Sequence, residues 1–221
     1  MKWGLGILSL AMVMQAGIAS QVFDFEDEKG INHVLVILDA PLEFISGKGE
    51  GLSGFISYDP EAPQKTTGSL HLQVDSIELN NHLMTKNMYG KRWLNAAEHP
   101  EILFSLSTFE PIQAEESLVR GEATGNFSFL GVTKEIKVPV SFNYLKDAAN
   151  QRAGKKNPDD KRDLLVLRSN FTILLDEYGL NLPPPARLQV ANEVQIKVNV
   201  VGYTAKEKSK IGAVVFTAPS H

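Results

Sequence analysis

Cysteine is absent from the 221 residues. Its absence removes disulfides, thiolate zinc sites and a cysteine nucleophile. It also removes a bacterial lipoprotein anchor, which needs a cysteine at the cleavage site. Basic charge is not in excess: the formal net charge is -4, which argues against a nucleic-acid partner. Tryptophan occurs twice and tyrosine five times, sparse material for the two aromatic girdles of an outer-membrane barrel, and the last residue, His221, is not aromatic. Chemistry-bearing motifs are missing too. The histidines His33, His71, His82, His99 and His221 form no HExxH and no i,i+4 pair, so neither a metal site nor a cofactor is expected. No Gly-x-Ser-x-Gly occurs, and no glycine turn leads from a strand into a helix with a following Lys-Ser/Thr. No catalytic residues are therefore assigned.

What is present is alternation. From Val119 to Phe129 the odd positions are apolar or small, against Arg120, Glu122, Thr124, Asn126 and Ser128. After Leu130-Gly131 the phase inverts, and Ile136, Val138, Val140, Phe142 and Tyr144 become the apolar set. Successive side chains of a strand point to opposite faces, so this is a β-hairpin with one apolar and one polar face, turned at a glycine. Similar patterns run through Leu70, Leu72 and Val74, through Ile102, Phe104 and Leu106, through Leu165 to Ile173 and through Val194 to Val200. The apolar phase slips after Val74 to Ile77 and Leu79, which predicts a bulge or the end of pairing. Asn81 is placed to cap a short helix over His82 to Tyr89. Residues 20–32 read as acidic and turn-like. Lys146 to Asp163, mixed in charge with Gly154 and Pro158, reads as a solvated hairpin tip dispensable for folding. Ile211 to Thr217 reads as a final strand or a tail. About eight strands with no βαβ rhythm predict an all-β antiparallel barrel or sandwich.

The first residues read as a targeting segment. Met1-Lys2 is a minimal positive start, Gly4 to Gly17 is apolar apart from Ser9 and Gln15, and Gly17 and Ala19 are the small residues a signal peptidase reads. Cleavage after Ala19 is expected, leaving residues 20–221 as one domain. The periplasm is the expected location, with secretion second.

Three segments resemble the YceI family of bacterial periplasmic proteins. They are His82-Leu83-Met84 with Trp93-Leu94-Asn95 and His99 to Phe104; Gly121 with Phe129 to Ile136 and Val138-Pro139-Val140; and, more weakly, Arg168 to Phe171 with Val194 to Val200. The resemblance covers roughly residues 45–204. It implies a lipocalin-like eight-stranded antiparallel β-barrel, here with one short helical insertion. It also implies a non-catalytic binding or carrier protein for a long-chain amphiphile such as a polyisoprenoid, an isoprenoid quinone or a fatty-acid derivative. The family's usual basic-histidine end of the first strand is replaced by Pro41-Leu42-Glu43-Phe44-Ile45.

An eight-stranded barrel can fill its interior with side chains or leave room for a ligand, and the residues alone leave both open. Gly121, Ala123 and Gly125 add almost no volume to one wall, and together with the resemblance they favour a tunnel. Its expected lining is Leu70, Leu72, Val74, Phe104, Leu106, Ala123, Gly125, Phe127, Phe129, Val138, Val140, Phe142, Phe171, Val194, Ile196 and Val198. The expected partner is a long-chain lipid or isoprenoid, with no stable membrane insertion; a homodimer is compatible with the sequence. Two rivals are a small outer-membrane barrel and an enzyme acting on a lipid in the same tunnel.

Overall fold

The computed structural model describes residues 20–27, 29–153 and 159–205. The expected signal segment, with its cleavage point, and the expected final strand or tail fall outside the described residues. Eleven antiparallel segments form the sheet: β1 (Gln21–Asp24), β2 (His33–Asp39), β3 (Phe44–Gly49), β4 (Leu52–Tyr58), β5 (Thr67–Gln73), β6 (Ile77–Leu79), β7 (Glu101–Glu115), β8 (Leu118–Phe129), β9 (Val132–Leu145), β10 (Leu164–Leu174) and β11 (Glu193–Thr204). Two short helices accompany them, α1 (His82–Met88) and α2 (Ala149–Ala153).

These eleven segments make eight strands, because three strands are broken. β1 and β2 both pair with β11 on one side, and with β4 and β3 on the other. β3 and β4 together face β6 and β5. The ring then continues through β7, β8, β9 and β10 back to β11. Since β1 closes onto β11, the result is an up-and-down antiparallel barrel like the lipocalin type.

Two of the breaks and the hairpin turn have visible local causes. The phase slip after Val74 is a 3-10 turn over Val74–Ser76, which separates β5 from β6. At the β8–β9 turn Leu130 and Gly131 have φ of 52° and 76°, the two positive angles that a type I′ hairpin requires. Between β1 and β2 the chain leaves the wall after Phe25, whose N–H still donates to the Gly54 carbonyl of β4. There the buried Asn32 carboxamide donates to the Val201 carbonyl at 2.9 Å and accepts the Val201 N–H at 2.9 Å, standing in for the missing ladder bonds. Pro139 has no N–H to give, and pairing between β9 and β10 stops beside it, at Val140 and Ser169. The gap this leaves is bridged by Lys134, 3.1 Å from Glu177 and stacked on the Tyr178 ring.

Two expectations are corrected. Residues 20–32 are not all turn: β1 pairs on both sides, and Phe23 and Phe25 are wholly buried. The segment after β9 is not a free solvated tip. Ala148 and Ala149 pack against Leu164 and Tyr203, and the α2 side chain Arg152 holds the barrel wall. Its guanidinium donates to both carboxylate oxygens of Asp27, at 2.7 and 3.1 Å, and to the Tyr203 hydroxyl at 2.6 Å. Residues 154–158 lie outside the described residues; of the described charges, Arg152, Asp160, Arg162 and Asp163 have partners in the fold, while Lys146, Asp147, Asp159 and Lys161 are exposed as expected.

A candidate lipid tunnel

Apolar side chains from all eight strands point inward, and they do not fill the barrel. A cavity of about 670 Å³ remains, far more than the water-sized voids of a close-packed core and within the ~300–1,000 Å³ range of ligand pockets. Several inward residues, among them Leu70, Phe104, Phe171 and Val198, keep partial exposure although they sit inside the barrel, because they face this space.

One end is closed by aromatic rings. Tyr58 packs on Phe142 at 5.3 Å between ring centres, Phe142 meets Phe109 edge-on at 5.0 Å, and Phe23 meets Tyr144 at 6.2 Å. Burial, with the neighbouring Asp59 charge, pushes the Tyr58 phenol up to about 12. Burial also lifts Tyr144 to about 12, aided by the hydrogen bond it donates to Asp163 at 2.7 Å. Both rings therefore stay neutral and the plug stays apolar through the physiological range.

The other end opens between the α1 segment and the loop joining β10 to β11. Asn81 caps α1 by accepting the Met84 N–H at 3.1 Å, and the Tyr89 hydroxyl reaches the Ile77 carbonyl at 2.7 Å, fixing the insertion over the barrel rim. Met84, Met88, Trp93 and Leu94 roof one side; Leu180, Leu182, Pro183, Ala186 and Val190 roof the other. Polar groups occur around this opening as Glu43, Asn87, Arg92, Asn181 and Gln189. Neither Glu43 nor Arg92 is engaged in an ion pair among the described residues. The arrangement can hold a long apolar chain inside and a polar group at the entrance.

Every residue expected to line the tunnel borders the cavity except Val74 and Gly125. Val74 is buried in the 3-10 turn, where its side chain leaves the strand alternation. Gly125 marks a close approach of strands rather than empty space. A Cβ there would lie 2.4 Å from the Ser105 carbonyl oxygen and 2.8 Å from the Phe104 ring. Gly121 is the same, with the Glu110 carbonyl at 2.2 Å and the Phe109 ring at 2.8 Å. The volume the two glycines give up is taken by phenylalanines of β7, and Ala123 alone of the three faces the cavity. Gly125→Phe is accordingly expected to destabilise the wall by about 1–3 kcal/mol or more. A denaturant midpoint equal to the parent's would show that the strands yield.

Sequence reasoning missed the roof between β10 and β11 and the polar rim. The Pro183-Pro184-Pro185 run and the Leu180/Leu182 pair were the available signal, but no periodicity marks a loop as part of a cavity.

A YceI-like domain profile matches residues 31–202. The chain belongs to the YceI-like family. A UPF0312 protein of Pseudomonas savastanoi pv. phaseolicola is 26% identical over 190 residues, spanning 84% of this chain and 91% of that one. Among solved structures, Burkholderia cenocepacia BcnA superposes with a TM-score of 0.62 at 19% identity, covering 77% of this chain and 95% of that one. A polyisoprenoid binding domain from Saccharophagus degradans gives 0.58 at 11% identity, covering 84% and 99%. At these identities the structural likenesses establish the shared barrel fold.

Proposed function

We propose that this YceI-like protein is a non-catalytic carrier that holds the hydrocarbon of a long-chain amphiphile in the barrel and works in the periplasm. The observation that carries the proposal is the open, almost wholly apolar 670 Å³ tunnel closed at one end by aromatic rings. A space of this size lies within the ~300–1,000 Å³ range of pockets that enclose whole ligands. Each buried methylene contributes about 0.8 kcal/mol, so a chain of ten or more carbons binds firmly without any charged contact. The structural neighbour described as a polyisoprenoid binding domain supports an isoprenoid or similar tail. The head group would rest at the rim against Arg92 and the amides of Asn87, Asn181 and Gln189. The apolar, cleavable-looking segment of residues 1–19 supports export.

Protein purified without detergent after export is expected to yield one class of long-chain lipid on organic extraction and mass spectrometry, in near-stoichiometric amount. A protein that carries no lipid and takes none up from added isoprenoid or fatty-acid probes would refute the carrier reading.

A further inference from the structure

Four large apolar side chains stand out in solvent at the open end of the barrel, where nothing in the fold requires them. Leu42 is 69% exposed, Phe44 59%, Leu83 65% and Leu188 49%. They come from three separate segments, yet hydrogen bonds hold those segments together. The Leu42 N–H donates to the Leu188 carbonyl at 2.9 Å, and the Asn80 N–H, just before α1 and Leu83, donates to the Ser46 carbonyl at 2.8 Å. None of the four borders the cavity, so they do not contact cargo inside it. They form a rim around its mouth. Scattered single exposed hydrophobics need no explanation, but an apolar group around one opening does.

Charge is arranged around the same opening. The two segments that make the mouth, residues 82–92 and 183–190, contain Lys86, Lys91, Arg92 and Arg187 and no carboxylate, in a chain whose net charge is -4. The third segment carries the acidic exceptions: Glu43, which borders the cavity, and the exposed Asp39, which pairs with Phe44 across the ladder. Apolar side chains ringed by cations match a lipid surface with anionic head groups, where the apolar residues enter the acyl boundary and the cations stay with phosphate.

We infer that the mouth of the barrel docks face-down on an anionic lipid bilayer, with Leu42, Phe44, Leu83 and Leu188 as the inserting rim. The inference rests on the carrier reading: a hydrocarbon tail moving from membrane to tunnel through a docked mouth never crosses water. The opposite end supplies an internal control, because Ile112, 73% exposed on β7, lies far from the opening.

The absence of native cysteine makes a site-resolved test direct. Single variants Leu83→Cys, Leu188→Cys and Ile112→Cys are made in the full chain and labelled with an environment-sensitive nitrobenzoxadiazole dye. They are mixed with protein-free vesicles of phosphatidylethanolamine and phosphatidylglycerol, or of phosphatidylcholine alone. Emission at positions 83 and 188 is expected to rise several-fold and shift to the blue with the anionic vesicles, less with the neutral ones, and not at all at position 112. Gln21 pairs with Tyr58 at the closed end, so anchoring by the residues before it would favour a signal at position 112 and cannot imitate one at 83 and 188. In parallel, Leu83→Glu with Leu188→Glu should lower the vesicle-induced signal from a label at Phe44→Cys while leaving the melting temperature unchanged. Silence at positions 83 and 188, or an equal response at 112, overturns the docking inference; so does a mouth that answers only to a protein partner. Lipid extracted from the unlabelled parent is measured separately, so an empty tunnel and a mouth that ignores membranes are different results.

Discussion

Ser169→Phe is expected to empty the tunnel while leaving the barrel intact. Ser169 is a small polar residue that borders the cavity from β10, and its hydroxyl is satisfied by the Pro139 carbonyl at 2.7 Å. A phenyl ring on that strand has open space before it, so the usual overpacking cost of about 1–3 kcal/mol is not expected. The ring displaces about five methylenes of cargo. At about 0.8 kcal/mol each this forfeits roughly 4 kcal/mol of binding, close to a thousandfold in affinity. Extracted lipid per mole of protein should fall to a small fraction of the parent's, with an unchanged denaturant midpoint. Full lipid load in this variant would mean that the tail does not pass Ser169. A large loss of stability would mean that the space is not available to a side chain. Gly125→Phe is the contrasting control, because its clash is with the Ser105 backbone.

Arg152→Ala should produce the largest loss of stability. The Arg152 and Asp27 side chains are 11% and 5% exposed, so their bidentate pair lies largely out of water. Removing one partner of such a pair typically costs about 3–5 kcal/mol, because the other charge is left buried. In a chain of this length that lowers the melting temperature by roughly 10 °C. The variant also loses the bonds from Arg152 to Tyr203 and Asn32, so the clasp between α2, the residue 26–32 loop and β11 opens as a unit. A double-mutant cycle with Asp27→Asn should recover a coupling of 1 kcal/mol or more, in the ~0.5–3 kcal/mol range of contacting residues.

Acid provides an independent reading of the same clasp. Burial alone would raise the Asp27 carboxyl. It is outweighed by the Arg152 hydrogen bonds and by the N–H groups of Lys29, Ile31 and Asn32, and the group is held down at about 2. A depressed folded value contributes stability that is present above the unfolded value near 3.9 and is lost as pH falls through the folded one. The parent should therefore weaken between about pH 4 and pH 2, and the Arg152→Ala protein should show a smaller change across that window. Parallel acid curves for the two proteins would remove Arg152 from the account.

Much of the barrel was legible because alternation is a local property. The pairing of Phe129 with Val132 across Leu130-Gly131, the phase slip after Val74 and the Asn81 cap each depend on a few adjacent residues, and each is found where the pattern put it. Most of the residues that alternation named do border the cavity, since residues two apart on a wall share its inner face, but the lining from β2, β3, β4 and β6 and the roof over the mouth was not named.

The sequence by itself determined the long strands from β5 onward, the inward faces of most of them, the absence of any thiol chemistry and the family, but not β1, which it read as turn. Only the tertiary structure decided whether inward residues meet one another or a cavity, because packing density depends on strands distant in the chain. Gly125 and Ala123 look alike in sequence, but Phe104 of β7 lies over the first and open space before the second. Arg152 and Asp27 are separated by 125 positions, and nothing short of the closed barrel brings them to 2.7 Å. A charge that is solvated in one fold is a buried clasp in another. The difference lies in which surfaces the closure of β1 onto β11 places face to face.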